Sequence, residues 1–282
     1  MRIGPATLVG RTLFLGMGLL GLGLGCEDPK PAPGPSSAPS PGAVPDKAAL
    51  EKAALEKVAV EAKAAAEKAE AAKAAEKKPV VCPKPPQVAF SDPVLEAEVR
   101  RKAGKAEGEL TLADLKKVRS VDLTRGGKPV DALDPCAFPL LTNLHQLYLG
   151  GGQLSDLSPI AGLTQLEGLR ASMNQVALVT PLAGMLQMDR LDLGRTQVKD
   201  LTPLKRMTKL TELMLDDTPV EDLAPVASLT NLERLSIKRT RVSNLSAIKG
   251  LRKLKFLYVG GSPAADSVGS LQRPGLKISG ED

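Results

Sequence analysis

LTNLHQLYLGGGQLSDLSPIAG, residues 141–162, is followed in register by LTQLEGLRASMNQVALVTPLAG (163–184), MLQMDRLDLGRTQVKDLTPLKR (185–206), MTKLTELMLDDTPVEDLAPVAS (207–228) and LTNLERLSIKRTRVSNLSAIKG (229–250). The period is 22 residues each time. A fixed repeat of this length identifies a solenoid, in which each copy is one coil and neighbouring coils cover each other's apolar side chains.

Within a copy, Leu144, Leu147, Leu149, Leu154, Leu157 and Ile160 have apolar equivalents in every later copy. Leu147 and Leu149 alternate with Gln146 and Tyr148, which is the period of a short strand with leucines inward. The chain then turns back through Ser158-Pro159, Thr180-Pro181 and Thr202-Pro203. A hydroxyl residue there can cap free N–H groups and proline suits the first helical position, so a short helical or 3₁₀ turn is expected on the convex side. A further column, Gly152, Asn174, Thr196, Thr218, Thr240 and Ser262, places small polar side chains where the backbone bends and leaves groups unpaired.

These copies, with the pattern LxxLxxLxLxxTxVxDLxPL, resemble the leucine-rich repeats of bacterial internalin-type proteins over roughly residues 88–271. The resemblance implies an α/β leucine-rich repeat solenoid, with a curved parallel sheet on the concave side and short helical or 3₁₀ turns on the convex side. It specifies a fold more narrowly than a function, since members of that family bind unrelated partners.

Around the repeats (115–271) the chain divides by composition. Arg2 and Arg11 precede the apolar and glycine-rich TLFLGMGLLGLGLG (12–25), a secretory signal over residues 1–25 that is shorter than the ~20 apolar residues of a spanning helix. Gly25-Cys26 resembles the cleavage point of a bacterial lipoprotein, which implies a lipid on the Cys26 thiol and attachment to a membrane of the cell envelope. Gly23 stands where that pattern has leucine, and Gly23-Leu24-Gly25 equally fits an ordinary signal peptidase, leaving plain secretion as the other reading. Residues 26–45, rich in proline, serine and glycine, read as a disordered tether. Residues 46–78, almost entirely Ala, Lys and Glu, read as a long helix of ~50 Å. Its Leu50, Leu55, Val58 and Val60 do not sustain the heptads of a coiled coil, so a monomer is expected. A Pro-rich linker (79–87), an N-terminal cap (88–114) and, after the repeats, a loose tail (272–282) complete the chain.

In the cap, Ser91 or Asp92 can start a helix at Pro93, with Leu95 and Val99 covering the open edge of the first coil. That coil is longer and irregular, with Leu115, Val118, Val121, Leu123, Val130 and Leu133 as its apolar residues and an insertion at Gly126-Gly127. There are three cysteines. With Cys26 acylated, Cys82 and Cys136 remain either as a bridged pair or as two free thiols; a bridge would contribute ~4 kcal/mol in the chain-entropy model.

Stacking sets the same position of every copy side by side about 4.8 Å apart. Both tyrosines of the chain, Tyr148 and Tyr258, then fall in one outward column of the concave face, joined by Phe256, in a sequence with two Tyr, four Phe and no Trp. Exposed aromatics on one face point to a partner, whether a protein or an envelope polymer; the alternative is that they cover the two ends of the sheet. Arg170, Arg190, Asp192, Met214 and Arg234 complete the candidate binding surface. Their charges alternate between strands, as do Glu212 and the pair Asp216 and Lys238, which equally describes a self-satisfied ladder. Asp156, Asp200, Asp222 and Asn244 form a column better suited to capping turns than to calcium, since Leu178 interrupts it. From Lys238 to Lys255 bases dominate, which suits either an anionic partner or simple solvation.

Nothing indicates catalysis, a cofactor or a metal: His145 is the only histidine, no nucleophile motif surrounds it, and there is no GxGxxG, P-loop or HExxH. A secreted chain with so few aromatics is a poor nucleic-acid binder. Two functions stay open at this level. One is a non-enzymatic module that binds through the concave face, and the other is an envelope spacer in which the Ala-rich helix is the working part.

Overall fold

The computed structural model describes residues 81–83 and 88–280. The signal peptide, Cys26 and its tether, the Ala-rich helix and all of the Pro-rich linker except 81–83 lie outside the described residues.

Each coil contributes one three-residue strand: β1 Ser120–Asp122, β2 Gln146–Tyr148, β3 Gly168–Arg170, β4 Arg190–Asp192, β5 Glu212–Met214, β6 Arg234–Ser236, β7 Phe256–Tyr258 and β8 Lys277–Ser279. They form one parallel sheet in chain order, without a slip in register, so that Leu147, Leu169, Leu191, Leu213, Leu235 and Leu257 stack in a single inward row. None of the six is more than 2% exposed. Burying one such side chain stabilises by about 1.5–3 kcal/mol, and a shift of one residue would turn the whole row to water. Period-two leucines therefore fix both strand and register.

The chain turns back through 3₁₀ segments, among them Ser158–Ile160, Thr180–Leu182, Thr202–Arg206 and Ala224–Ser228, each with proline in its first turn. Of the two sets of caps the sequence offered, the Asp and Asn column supplies them. The hydroxyls of Ser158, Thr180 and Thr202 do not cap; instead Asp156, Asp200, Asp222 and Asn244 accept the N–H two residues on, at 2.8, 3.0, 2.7 and 2.8 Å. An acid two residues earlier closes this Asx-type turn, whereas a hydroxyl inside the turn points past it. Thr202 uses its hydroxyl to donate to Asp200 Oδ1 at 2.7 Å.

After β3, β4, β5 and β6 the chain bends through a left-handed residue, Met173, Arg195, Asp217 and Arg239 in turn, with φ of 59, 55, 55 and 50°. The next residue satisfies carbonyls left open by that bend. Asn174, 2% exposed, donates from Nδ2 to the carbonyls of Gly150, Ala171 and Ser172, and Thr196, Thr218, Thr240 and Ser262 each donate a hydroxyl to the carbonyl three residues back. No buried side-chain nitrogen or oxygen lacks a partner among the described residues.

At the N-terminal edge, helix α1 (Pro93–Ala103) is capped by Asp92, which accepts the Val94 N–H at 2.8 Å, and ends at left-handed Gly104. Leu95 and Val99 are fully buried. Helix α2 (Leu112–Leu115) starts in a capping box between Thr111 and Asp114. Of the two readings of the cysteines, the structure has the bridge: Cys82 and Cys136 are disulfide-bonded with Cα atoms 5.3 Å apart.

At the far end the tail is not loose. Val259 N–H donates to Ser279 and Lys277 N–H to Lys255, making 277–279 an eighth strand. Without it the outer backbone groups of β7 would face no ladder, and Leu271, 5% exposed, with half-buried Leu276 and Ile278, would not close the core.

Candidate functional site

The outward face of the sheet carries two columns. The first residues of the strands run Ser120, Gln146, Gly168, Arg190, Glu212, Arg234, Phe256, Lys277; the third run Asp122, Tyr148, Arg170, Asp192, Met214, Ser236, Tyr258, Ser279. Strand alternation alone points these side chains outward. Between β2 and β5 the face sinks into a depression of about 150 Å³. Leu169 and Leu191 lie at its bottom with their side chains turned into the core, and Tyr148, Arg170, Arg190, Asp192 and Met214 stand around it.

Five of the candidate binding residues therefore meet in one place. Arg234, Phe256 and Tyr258 do not join them; they lie further along, on β6 and β7. There the Phe256 ring is sandwiched, with the Arg234 guanidinium carbon 5.3 Å and the Lys277 ammonium 5.8 Å from its centroid. Those contacts occupy the faces of the ring, so this end presents cations rather than an open aromatic surface. Neither tyrosine covers an end of the sheet: β1 lies beyond Tyr148, and β8 lies beyond Tyr258. Tyr148, at 37%, is the more exposed of the two.

The charges are partly as alternation predicts. Arg170 pairs with Asp192 and Arg234 with Glu212, both at 3.4 Å. Arg190 instead pairs with Asp189, its own neighbour, at 3.4 Å. Asp216 does not meet the Lys238 ammonium; it accepts the Lys238 backbone N–H at 2.9 Å and the Ser236 hydroxyl. Exposed pairs of this kind contribute little to stability, about 0–1 kcal/mol, and stay open to exchange with a ligand. On the flank of the sheet, Arg239 binds Asp217 with two guanidinium nitrogens and Arg195 approaches from the other side. Hydrogen bonding from Arg239 holds the Asp217 carboxyl below the ordinary carboxylate range, against the opposing pull of burial.

Three residues of the depression escaped the sequence reading as site residues: Gln146, Gly168 and Glu212. The signal for Gly168 was present, since it is the single glycine in its column. His145 accompanies Glu167 at 3.0 Å and has no nucleophile beside it. No group of three or more His, Cys, Asp or Glu able to hold a metal ion occurs among the described residues.

Neither a protein-family model nor a curated protein sequence matches the chain. Solved structures do, and they define the class as leucine-rich-repeat proteins. Internalin C2 of Listeria monocytogenes is 32% identical with a TM-score of 0.61, the match covering 71% of this chain and 88% of that one. A second Listeria monocytogenes internalin, inlF, is 23% identical with a TM-score of 0.51, covering 67% of this chain and 64% of its own. A leucine-rich-repeat protein of Leptospira interrogans, 19% identical with a TM-score of 0.51, matches over 59% of this chain and 50% of its own. The last two speak for the fold alone. On the first, the chain belongs to the internalin-type leucine-rich-repeat proteins.

Proposed function

We propose that the chain is a non-enzymatic, protein-binding module of a bacterial cell envelope, and that the partner sits on the concave face over β2–β5. The observation that carries this reading is the depression itself. An aromatic, a thioether and arginine side chains converge there, the composition found where interface energy concentrates. Arginines engaged only at 3.4 Å by exposed acids can re-pair with a ligand at small cost.

The same proposal places the module outside the cytoplasm, held to a membrane by a lipid on Cys26 and spaced from it by residues 27–78. A disulfide at Cys82–Cys136 fits an oxidising compartment. No described helix is long and apolar enough to cross a membrane. Loss of fatty-acid labelling in Cys26→Ser checks the anchor.

The binding reading is tested with a photo-reactive residue at Met214, on the face, or at Lys205, in the 3₁₀ segment on the opposite side, in the full chain on intact cells. A protein adduct forming from Met214 and not from Lys205 is the expected result. Equal adducts from both positions, or none from Met214, contradict it.

A further inference from the structure

Among the positions that line the depression, one has no side chain. Along the first outward column every strand presents a side chain except β3, where Gly168 stands between Gln146 and Arg190. A Cβ placed on Gly168 would come within 2.1 Å of Gln146 Oε1 and 2.9 Å of its Cδ. The Gln146 side chain thus lies across the gap, where the Tyr148 hydroxyl donates to the same Oε1 at 3.0 Å. Gly168 is not among the left-handed residues, and the atoms crowding it are the movable end of a glutamine. Backbone geometry therefore does not demand glycine here; the gap is a feature of the surface.

Resting on the reading of this face as protein-binding, we infer that the gap is a socket for one tyrosine side chain of the partner, with Gln146 as its movable lid. Size is compatible: the open depression has about 150 Å³, on the order of an enclosed cavity that holds benzene. Chemistry agrees on three sides. The Tyr148 ring, 37% exposed, supplies apolar surface. Met214 supplies a thioether, which favours an aromatic edge, and Arg170 and Arg190 supply guanidinium groups, which stack on ring faces while still bound to a carboxylate. Asp192 and Glu212 at the rim provide acceptors for a phenolic hydroxyl.

Other occupants fit less of this set. An aliphatic side chain meets Tyr148 and Met214 but leaves the guanidinium and carboxylate groups desolvated without a partner. A lysine would set its ammonium beside the Arg170 and Arg190 guanidinium groups, like charge against like. Tyrosine alone uses the apolar surface, the cations and the acceptors together. On its arrival the Gln146 amide turns outward, exchanging its bond with Tyr148 for water or for the partner's backbone.

The test uses the full chain with isotope-labelled methionine methyl groups and p-cresol, the tyrosine side chain in isolation. Ring currents are expected to move the Met214 methyl resonance saturably, while the fully buried Met185, Met188 and Met207 stay in place and cyclohexanol at equal concentration leaves Met214 unmoved. Gly168→Val should abolish the shift by filling the gap, with the milder Gly168→Ala reducing it, and Gln146→Ala should tighten p-cresol binding by removing the lid. No saturable shift at Met214, an equal response to cyclohexanol, or a full shift in Gly168→Val overturns the socket. A Met214 adduct on cells without any p-cresol response removes the socket and leaves the binding face. Absence of every adduct removes the partner, and the socket's assigned occupant with it, whatever p-cresol does.

Discussion

The first coil with its cap and the five regular coils after it bury the same kind of residue, yet they are held together differently. In the regular coils every polar task recurs: Asn174, Thr196, Thr218 and Thr240 close the bend after the strand, and Asp156, Asp200, Asp222 and Asn244 close the turn before the 3₁₀ segment. Between residues 88 and 140 the polar contacts do not recur at a fixed spacing. Asp134, 3% exposed, alone gathers the Ser91 N–H and hydroxyl and the N–H groups of Cys136 and Ala137. Glu98 reaches the Asp122 N–H from α1, and one disulfide ties residue 82 to 136. Stacking distributes stability over equivalent residues, whereas an end must be sealed by unique ones.

That contrast can be broken from either side. The largest effect is expected in the array: Leu191→Ala opens a void under the centre of the sheet and should cost about 2–5 kcal/mol, read by denaturant unfolding. Next comes Cys136→Ser, at about 2–4 kcal/mol, with loss of protection in hydrogen exchange falling mainly on the cap rather than on β4–β6.

Asp134→Asn should cost about 1–3 kcal/mol, because the amide nitrogen is a donor facing donors. Burial by itself raises the Asp134 pKa, but the hydrogen bonds from Ser91, Ala137 and Cys136 outweigh it and leave the carboxyl below its ordinary value. A folded pKa beneath the unfolded one of about 3.9 means that the stabilisation is complete above that pH and is lost as pH falls through the lower value. Acid titration of cap stability should therefore flatten in Asp134→Asn. The smallest effect is that of Arg239→Ala, below about 1 kcal/mol and shrinking with added salt, since the Asp217 ladder lies at the surface.

Legibility in the sequence followed the same division. Whatever repeats could be read directly: the period gave the strands, alternation gave the inward leucines and the outward columns, and the polar column at Asn174 gave the closing of the bend. Asp92 and Pro93 carried the start of α1 in local chemistry. Single-use features left no periodic trace. Asp134 reads as one more loop acid until Ser91 is brought across 43 residues to it. Lys277–Ser279 is a polar tail by composition and a strand only because β7 needs a neighbour. The caps at Asp156 and Asp200 were legible, but the hydroxyls beside them competed for the same task, and only geometry separates the two. In the site, the columns placed Tyr148, Arg170, Arg190, Asp192 and Met214 on one face. That Gly168, without a side chain, lies in the depression that gathers them and that Gln146 reaches across it is recorded by no spacing rule.

Binding by the centre of the sheet is tested most directly with the protein recovered in the Met214 adduct, by measuring its Kd for two sets of alanine variants of the full chain. Tyr148→Ala, Arg190→Ala and Met214→Ala should together weaken binding by roughly thirtyfold or more, the scale of interface hot spots, while Phe256→Ala with Tyr258→Ala changes it by less than about threefold. The reverse pattern, with the β7 aromatics decisive and the β2–β5 residues dispensable, would contradict it.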